Sequence, residues 1–208
     1  MIDELYKDRM DRWWDALGRV VARTGLTPNA VTWIGFALSA TNALAFTLHQ
    51  NLIVYGLLVA AVELLDNVDG AVARVTGRSS LSGAYLDATT DRYKDVFVLL
   101  AIGYVTGHWL PVAVAISGSL ITSYAAARAS MLGADGDGRG GLPDLFERLE
   151  RIGTLCIGLV ATPFCPPILG YDLMFWVLWF VAVMTQVTAL QRFTRRLAQL
   201  RDLDDDAG

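Results

Sequence analysis

The sequence predicts an all-α integral membrane protein, with six transmembrane helices preceded by an amphipathic helix in the membrane interface. Three observations carry that expectation. Of the 208 residues 54% are hydrophobic, and the mean hydropathy of +0.41 lies well above that of a soluble globular chain. Four stretches, 31–48, 112–127, 152–169 and 173–190, contain no charged residue at all. Each approaches the roughly 20 residues that cross a hydrocarbon core of about 30 Å. Two more, 52–75 and 83–105, are apolar but interrupted by acids. Six such helices in so short a chain leave too little polar face for a soluble fold.

In chain order, residues 1–24 form the interfacial helix. Ile2, Leu5, Tyr6, Met10, Trp13, Trp14, Leu17, Val20 and Val21 recur every three or four positions, with Lys7, Arg9, Arg12, Arg19 and several acids between them. That pattern suits a helix lying flat, its tryptophans at headgroup depth. Residues 25–200 carry the six spans, and 201–208 read as a disordered tail. Lys and Arg set the orientation. They crowd the N-terminal segment, Arg74 and Arg78, the region 128–151 and the stretch 192–201, whereas the connections 49–51, 107–111 and 166–172 have none. The alternation places both termini at the cytoplasmic side of the cell's inner membrane, with the Gly-rich stretch 133–141 as a cytoplasmic loop. No cleavable signal peptide is visible, because the first thirty residues lack a bare apolar stretch. A net charge of −4 argues against nucleic acid as a partner. Cys156 and Cys165 have no metal-ligand spacing and read as packing residues.

The second and third spans contain four carboxylates, Asp66, Asp69, Asp87 and Asp91. An acid at the centre of a membrane helix costs about 2.5–3.5 kcal/mol, and less near its ends. Four together also repel one another. On helical geometry Asp66, Asp69, Gly70 and Ala73 share one face, as do Gly83, Asp87 and Asp91 on the next helix. At 1.5 Å per residue, Asp69 and Asp87 lie roughly 6–8 Å in from the helix ends, and Asp66 and Asp91 roughly 12 Å. The two faces can meet as a four-carboxylate box below the cytoplasmic surface. Oxygen ligands with high negative charge suit hard cations such as Mg²⁺ or Mn²⁺, and two such ions neutralise four carboxylates. Gly70, Ala73 and Gly83 make room beside the box, and Arg74 can reach phosphate oxygens. A two-metal site with an arginine and a small-residue hollow is what diphosphate chemistry requires.

The segment Asp66-Asn-Val-Asp69-Gly70-Ala-Val-Ala73-Arg74, followed by Gly83-Ala-Tyr-Leu-Asp87-Ala-Thr-Thr-Asp91, resembles the signature of the CDP-alcohol phosphotransferases. That signature is DxxDGxxAR, a gap of seven to nine residues, then GxxxDxxxD, and every fixed position is present. The resemblance implies roles. Asp66, Asp69, Asp87 and Asp91 would hold two metal ions, which would hold the diphosphate of a CDP-linked lipid. Asp69, Gly70, Ala73, Arg74 and Gly83 would receive the CDP moiety, joined by Asn29 and Thr32 from the entry to the first span. A plain helix cap is the alternative for Asn29. Asp91 would also be general base for the incoming hydroxyl, with CMP expelled. Family members are commonly homodimers, and the small residues of the fourth span, Ser117, Gly118 and Ser119, suit such an interface.

Arg128, in Ser123-Tyr124-Ala-Ala-Ala-Arg128, and Arg148 and Arg151, in Glu147-Arg148-Leu-Glu150-Arg151, suit an acceptor that carries its own phosphate. The bland alternative pairs these arginines with Glu147 and Glu150 as positive-inside anchors. The pattern is similar to the phosphatidylinositol-phosphate synthase branch and its archaeal ether-lipid counterparts. It departs at Ala126, where that branch often has a basic residue. Lys94, one turn past Asp91, is an unusual cation at this depth, which would either substitute electrostatically for that basic residue or, the favoured reading, pair with Asp91 or Asp95. The donor implied is CDP-diacylglycerol or a CDP-archaeol-like lipid. The acceptor implied is inositol 1-phosphate, with glycerol 3-phosphate, serine or free inositol as alternatives. From a different class, an ion transporter would also place carboxylates within the membrane.

Overall fold

The computed structural model describes residues 13–134 and 146–207, and among them every regular element is helical. The first half of the interfacial segment and most of the 133–141 loop lie outside the described residues. The helices are α1 (13–22), α2 (Pro28–His49), α3 (Leu52–Thr76), α4 (Leu81–Thr106), α5 (Trp109–Met131), α6 (Arg148–Ala161) and α7 (Leu173–Ala207). The chain divides into two compact units, 1–98 and 99–208, so the division falls within α4.

In the first unit, local chemistry sets each boundary. Thr27 caps α2, its hydroxyl accepting from Ala30 N at 3.2 Å, and Pro28 takes the first turn, where its missing N–H costs nothing. Asn51 caps α3 through Val54 N. Gly77 ends α3 in the left-handed region (φ 63°), and Arg78 N reaches back to Ala73 O at 3.1 Å, a closure that glycine permits without strain. Ser80 then accepts from Gly83 N at 3.0 Å and opens α4. Of α1's apolar residues, Trp13, Leu17 and Val20 are exposed, Trp13 at 77%. The buried face instead presents Gly18 to Ala71 of α3, so close that a β-carbon there would stand 2.9 Å from the Ala71 carbonyl carbon.

In the second unit α5 and α7 pack along one another. Gly118 meets Thr185, and Gln186 donates to Val114 O at 2.9 Å. The α6 segment departs from the expected span over 152–169. Its α-helix has 14 residues, roughly 21 Å at 1.5 Å each, and passes into a 3₁₀ turn, Thr162–Phe164. Pro163, Pro166 and Pro167 explain the stop, since each lacks the N–H that would continue the helix. Cys156 is buried as expected, but Cys165 is exposed just past that turn. α7 continues to Ala207, with no glycine or proline between Asp172 and Ala207 to interrupt it. Among the described residues three helices are long and apolar enough to cross a membrane: Pro28–His49, Trp109–Met131 and Leu173–Asp205. With 25 and 26 residues, α3 and α4 have the length but carry the acids.

Candidate active site

Three helix ends of the first unit supply the candidate residues. The first turn of α2 brings Asn29 and Thr32, the last turns of α3 bring Asp66 to Arg74, and the first turns of α4 bring Gly83, Asp87 and Asp91. They arrange in two layers.

The outer layer is a cavity of about 190 Å³, lined among others by Asn29, Thr32, Asp69, Gly70, Ala73, Gly83 and Asp87. Six of the seven residues expected to receive the nucleotide thus face one space. Asp69 is buried and held firmly, since Thr32 Oγ1 donates to its Oδ2 at 2.7 Å and its own neighbour Gly70 donates N–H to Oδ1. Thr32 therefore orients a carboxylate as well as lining the cavity. Asn29 is not the cap of α2, a role Thr27 fills, and its Oδ1 lies beside Gly83, where a β-carbon would stand 3.1 Å away. A β-carbon there would crowd both Asn29 Oδ1 and Ser80 Oγ, each 3.1 Å away, and glycine leaves them room. Arg74 departs from the expected group. It is directed to Asp15 of α1, with Nε and Nη2 at 3.3 and 3.2 Å from Oδ1. Both partners are partly exposed, so the pair is worth no more than about 1 kcal/mol.

Among the lining residues that sequence reasoning missed are Arg78, Ser79 and Ser80. They sit in the gap between the two halves of the signature, where no residue type is specified. The signal was topological: a short loop joining two site-bearing helices must edge whatever lies between them.

The inner layer holds Asp66 and Asp91, joined by Lys94. Its ammonium stands 2.6 Å from Asp66 Oδ2 and 3.1 Å from Asp91 Oδ1, and the residue is fully buried. Asp91 was expected as a partner and Asp66 was not. Asp95 pairs instead with Arg92 at 3.4 Å. The other oxygen of Asp66 is pressed against Gly35 of α2, where a β-carbon would come within 2.9 Å. Asp87 lies within electrostatic reach of Asp91, Asp69 and Asp66, so the four acids do share one locality across α3 and α4. Among the described residues, however, no three acidic, histidine or cysteine side chains converge closely enough to grip an ion as they stand. The donor set is still that of a hard divalent cation, all oxygen and strongly negative. The inner carboxylates are paired with the lysine, whose ammonium is itself a cation.

The three arginines of the second unit are described separately. Arg128 is exposed near the end of α5, Arg148 opens α6 partly exposed, and Arg151 is buried at 4% exposure. Glu147 and Glu150 form a reciprocal capping box at the start of α6, with Glu147 N donating to Glu150 Oε2 at 3.1 Å. The glutamates therefore have a structural task of their own, legible in the Glu-x-x-Glu spacing.

Comparison with known proteins follows the same lines. The family model described as CDP-alcohol phosphatidyltransferase matches residues 25–187. An archaetidylinositol phosphate synthase of Pyrococcus horikoshii is 33% identical over 180 residues, covering 86% of this chain and 87% of that protein. The phosphatidylinositol phosphate synthase of Mycobacterium tuberculosis is 33% identical over 187 residues, covering 85% and 82%. Two crystal structures of the M. tuberculosis synthase are similar in fold. One, with CDP-DAG bound, superposes with a TM-score of 0.75 at 27% identity, covering 89% of this chain and 94% of that one. The other, with manganese and citrate, gives 0.77 at 28%, covering 88% of each. A transferase family leaves the ion-transport alternative without support. From its signature, its site-bearing helix ends and these likenesses, the chain belongs to the CDP-alcohol phosphatidyltransferase family.

Proposed function

We propose that this chain transfers a phosphatidyl-type group from a CDP-linked lipid to inositol 1-phosphate, releasing CMP. The observation that carries the reading is the outer cavity. Residues from three helix ends, two of which carry the signature, line one space together with the signature acids Asp69 and Asp87. The acceptor rests on the relatives, whose names denote inositol-phosphate lipid synthases.

In this reading Asn29, Thr32, Gly70, Ala73 and Gly83 admit the cytidine, and Arg74 leaves Asp15 to meet the donor's phosphates. Asp66, Asp69, Asp87 and Asp91 would hold two Mg²⁺ or Mn²⁺ ions, which when bound supply charge neutralisation at the diphosphate. Asp91 takes the proton of the acceptor hydroxyl. That oxygen bonds to the lipid-bearing phosphorus as the bond to CMP breaks, and CMP leaves with the electron pair. Arg128, Arg148 and Arg151 receive the acceptor's own phosphate. The chain lies in the inner membrane as a homodimer, with α1 in the membrane–water interface, and α3, α4 and the segment 148–164, α6 with its 3₁₀ turn, completing six spans. Both termini and the site then face the cytoplasm.

The test is an assay of purified protein with labelled CDP-diacylglycerol or CDP-archaeol and a panel of acceptors, scoring CMP. Inositol 1-phosphate is expected to give the highest rate, EDTA to stop it, and Mg²⁺ or Mn²⁺ to restore it. Asp91→Asn is expected to bind donor but release no CMP. A higher rate with glycerol 3-phosphate or serine refutes the acceptor, and turnover persisting in EDTA refutes the metal site.

A further inference from the structure

Lys94 is a fully buried ammonium placed between two of the four acids of the site. Its sequence neighbour Asp95, the simplest partner, is taken by Arg92. Lys94 instead joins α4 to α3 through Asp66. Because Gly35 closes the other flank of Asp66, that carboxylate has little room to turn away from the lysine. The outer acids are differently held. Asp69 is fixed by a neutral hydroxyl and a backbone N–H, and neither brings a charge that opposes a cation. The two halves of the acid cluster are therefore chemically unequal: Asp69 is oriented by neutral donors, and among the described residues no ammonium pairs with it, whereas Asp66 and Asp91 already share a cation.

We infer that Lys94 is a built-in cation that makes the two metal positions of this site unequal, so that one divalent ion binds tightly and the second only weakly. This rests on the metal-site reading above. An ion entering on the Asp69 and Asp87 side meets carboxylates without an ammonium on them. A second ion, needing Asp66 and Asp91, must draw them from Lys94 and then remain beside its positive charge. Like charges at such separations disfavour one another strongly where water is scarce. In return, Lys94 offsets part of the charge of the inner acids whenever no metal is present, so the inner ends of α3 and α4 stay joined in the empty enzyme. Lys94 is thus a positioning residue that sets the order of metal loading.

The decisive measurement is Mn²⁺ binding to the detergent-solubilised full chain, reading free Mn²⁺ by electron paramagnetic resonance, with no lipid or acceptor present. The wild type is expected to show two affinities at least tenfold apart. Lys94→Met, which keeps the bulk and removes the charge, is expected to tighten the weaker one by tenfold or more. In EDTA the same variant is expected to melt several degrees below the wild type, a gap that Mn²⁺ closes. Lys94→Arg is expected to keep two unequal affinities. Superimposable binding curves for wild type and Lys94→Met overturn the inference and leave the metal site standing. Should Lys94→Met fail to fold, Lys94→Gln decides by the same readings. Mn²⁺ binding that survives Asp69→Asn combined with Asp87→Asn refutes the metal site itself, and the inference with it.

Discussion

Thr32 and Asp69 show how a single side chain prepares a site. The carboxylate is buried, so its orientation depends on what it bonds to, and the hydroxyl at 2.7 Å is the side chain that holds it. A hydrogen bond to a charged group contributes about 1.5–3 kcal/mol. Thr32→Val keeps the shape of the residue and removes the donor. It is expected to lower kcat about tenfold or more with the protein still folded, while Thr32→Ser restores most of the rate. Unchanged CMP release in Thr32→Val would show that Gly70 N–H alone suffices. Lys94 presents the opposite case, a charge whose removal leaves buried acids uncompensated. Breaking a buried pair by deleting one partner costs about 3–5 kcal/mol.

At the scale of elements, helix ends do the work. The cap at Thr27, the glycine closure at Gly77 and the serine at Ser80 place three termini around one cavity. The contact of α1 with α3 depends on another glycine. Alanine at position 18 would raise the intrinsic helicity of α1 by up to about 1 kcal/mol, yet its methyl group would collide with the backbone of Ala71, which cannot swing aside. Gly18→Ala is therefore expected to loosen α1 from α3 and release Arg74 from Asp15. Faster amide exchange over residues 13–22 than in the wild type is the sign to look for, and unchanged protection there would contradict the docking. The early end of α6 has an equally local cause in Pro163, Pro166 and Pro167.

For the molecule as a whole, the open question is how the acceptor is chosen. Arg148→Ala and Arg151→Ala are each expected to raise KM for inositol 1-phosphate about tenfold while KM for the CDP donor moves less than twofold. Equal changes in both constants would point to a general loss of structure and refute the acceptor role. The sequence by itself determined the all-helical class, the membrane character and the family, because charge-free runs of span length and eight fixed signature positions need no knowledge of neighbours in space. It also placed the four acids on two helix faces at two depths, since helical periodicity alone sets both. Only the tertiary structure decided which groups those acids meet. Lys94 lies 28 residues from Asp66, Thr32 lies 37 from Asp69, and Asp15 lies 59 from Arg74. Pairings across such separations follow from how helices pack, and packing is a property of the assembled chain that local patterns do not encode.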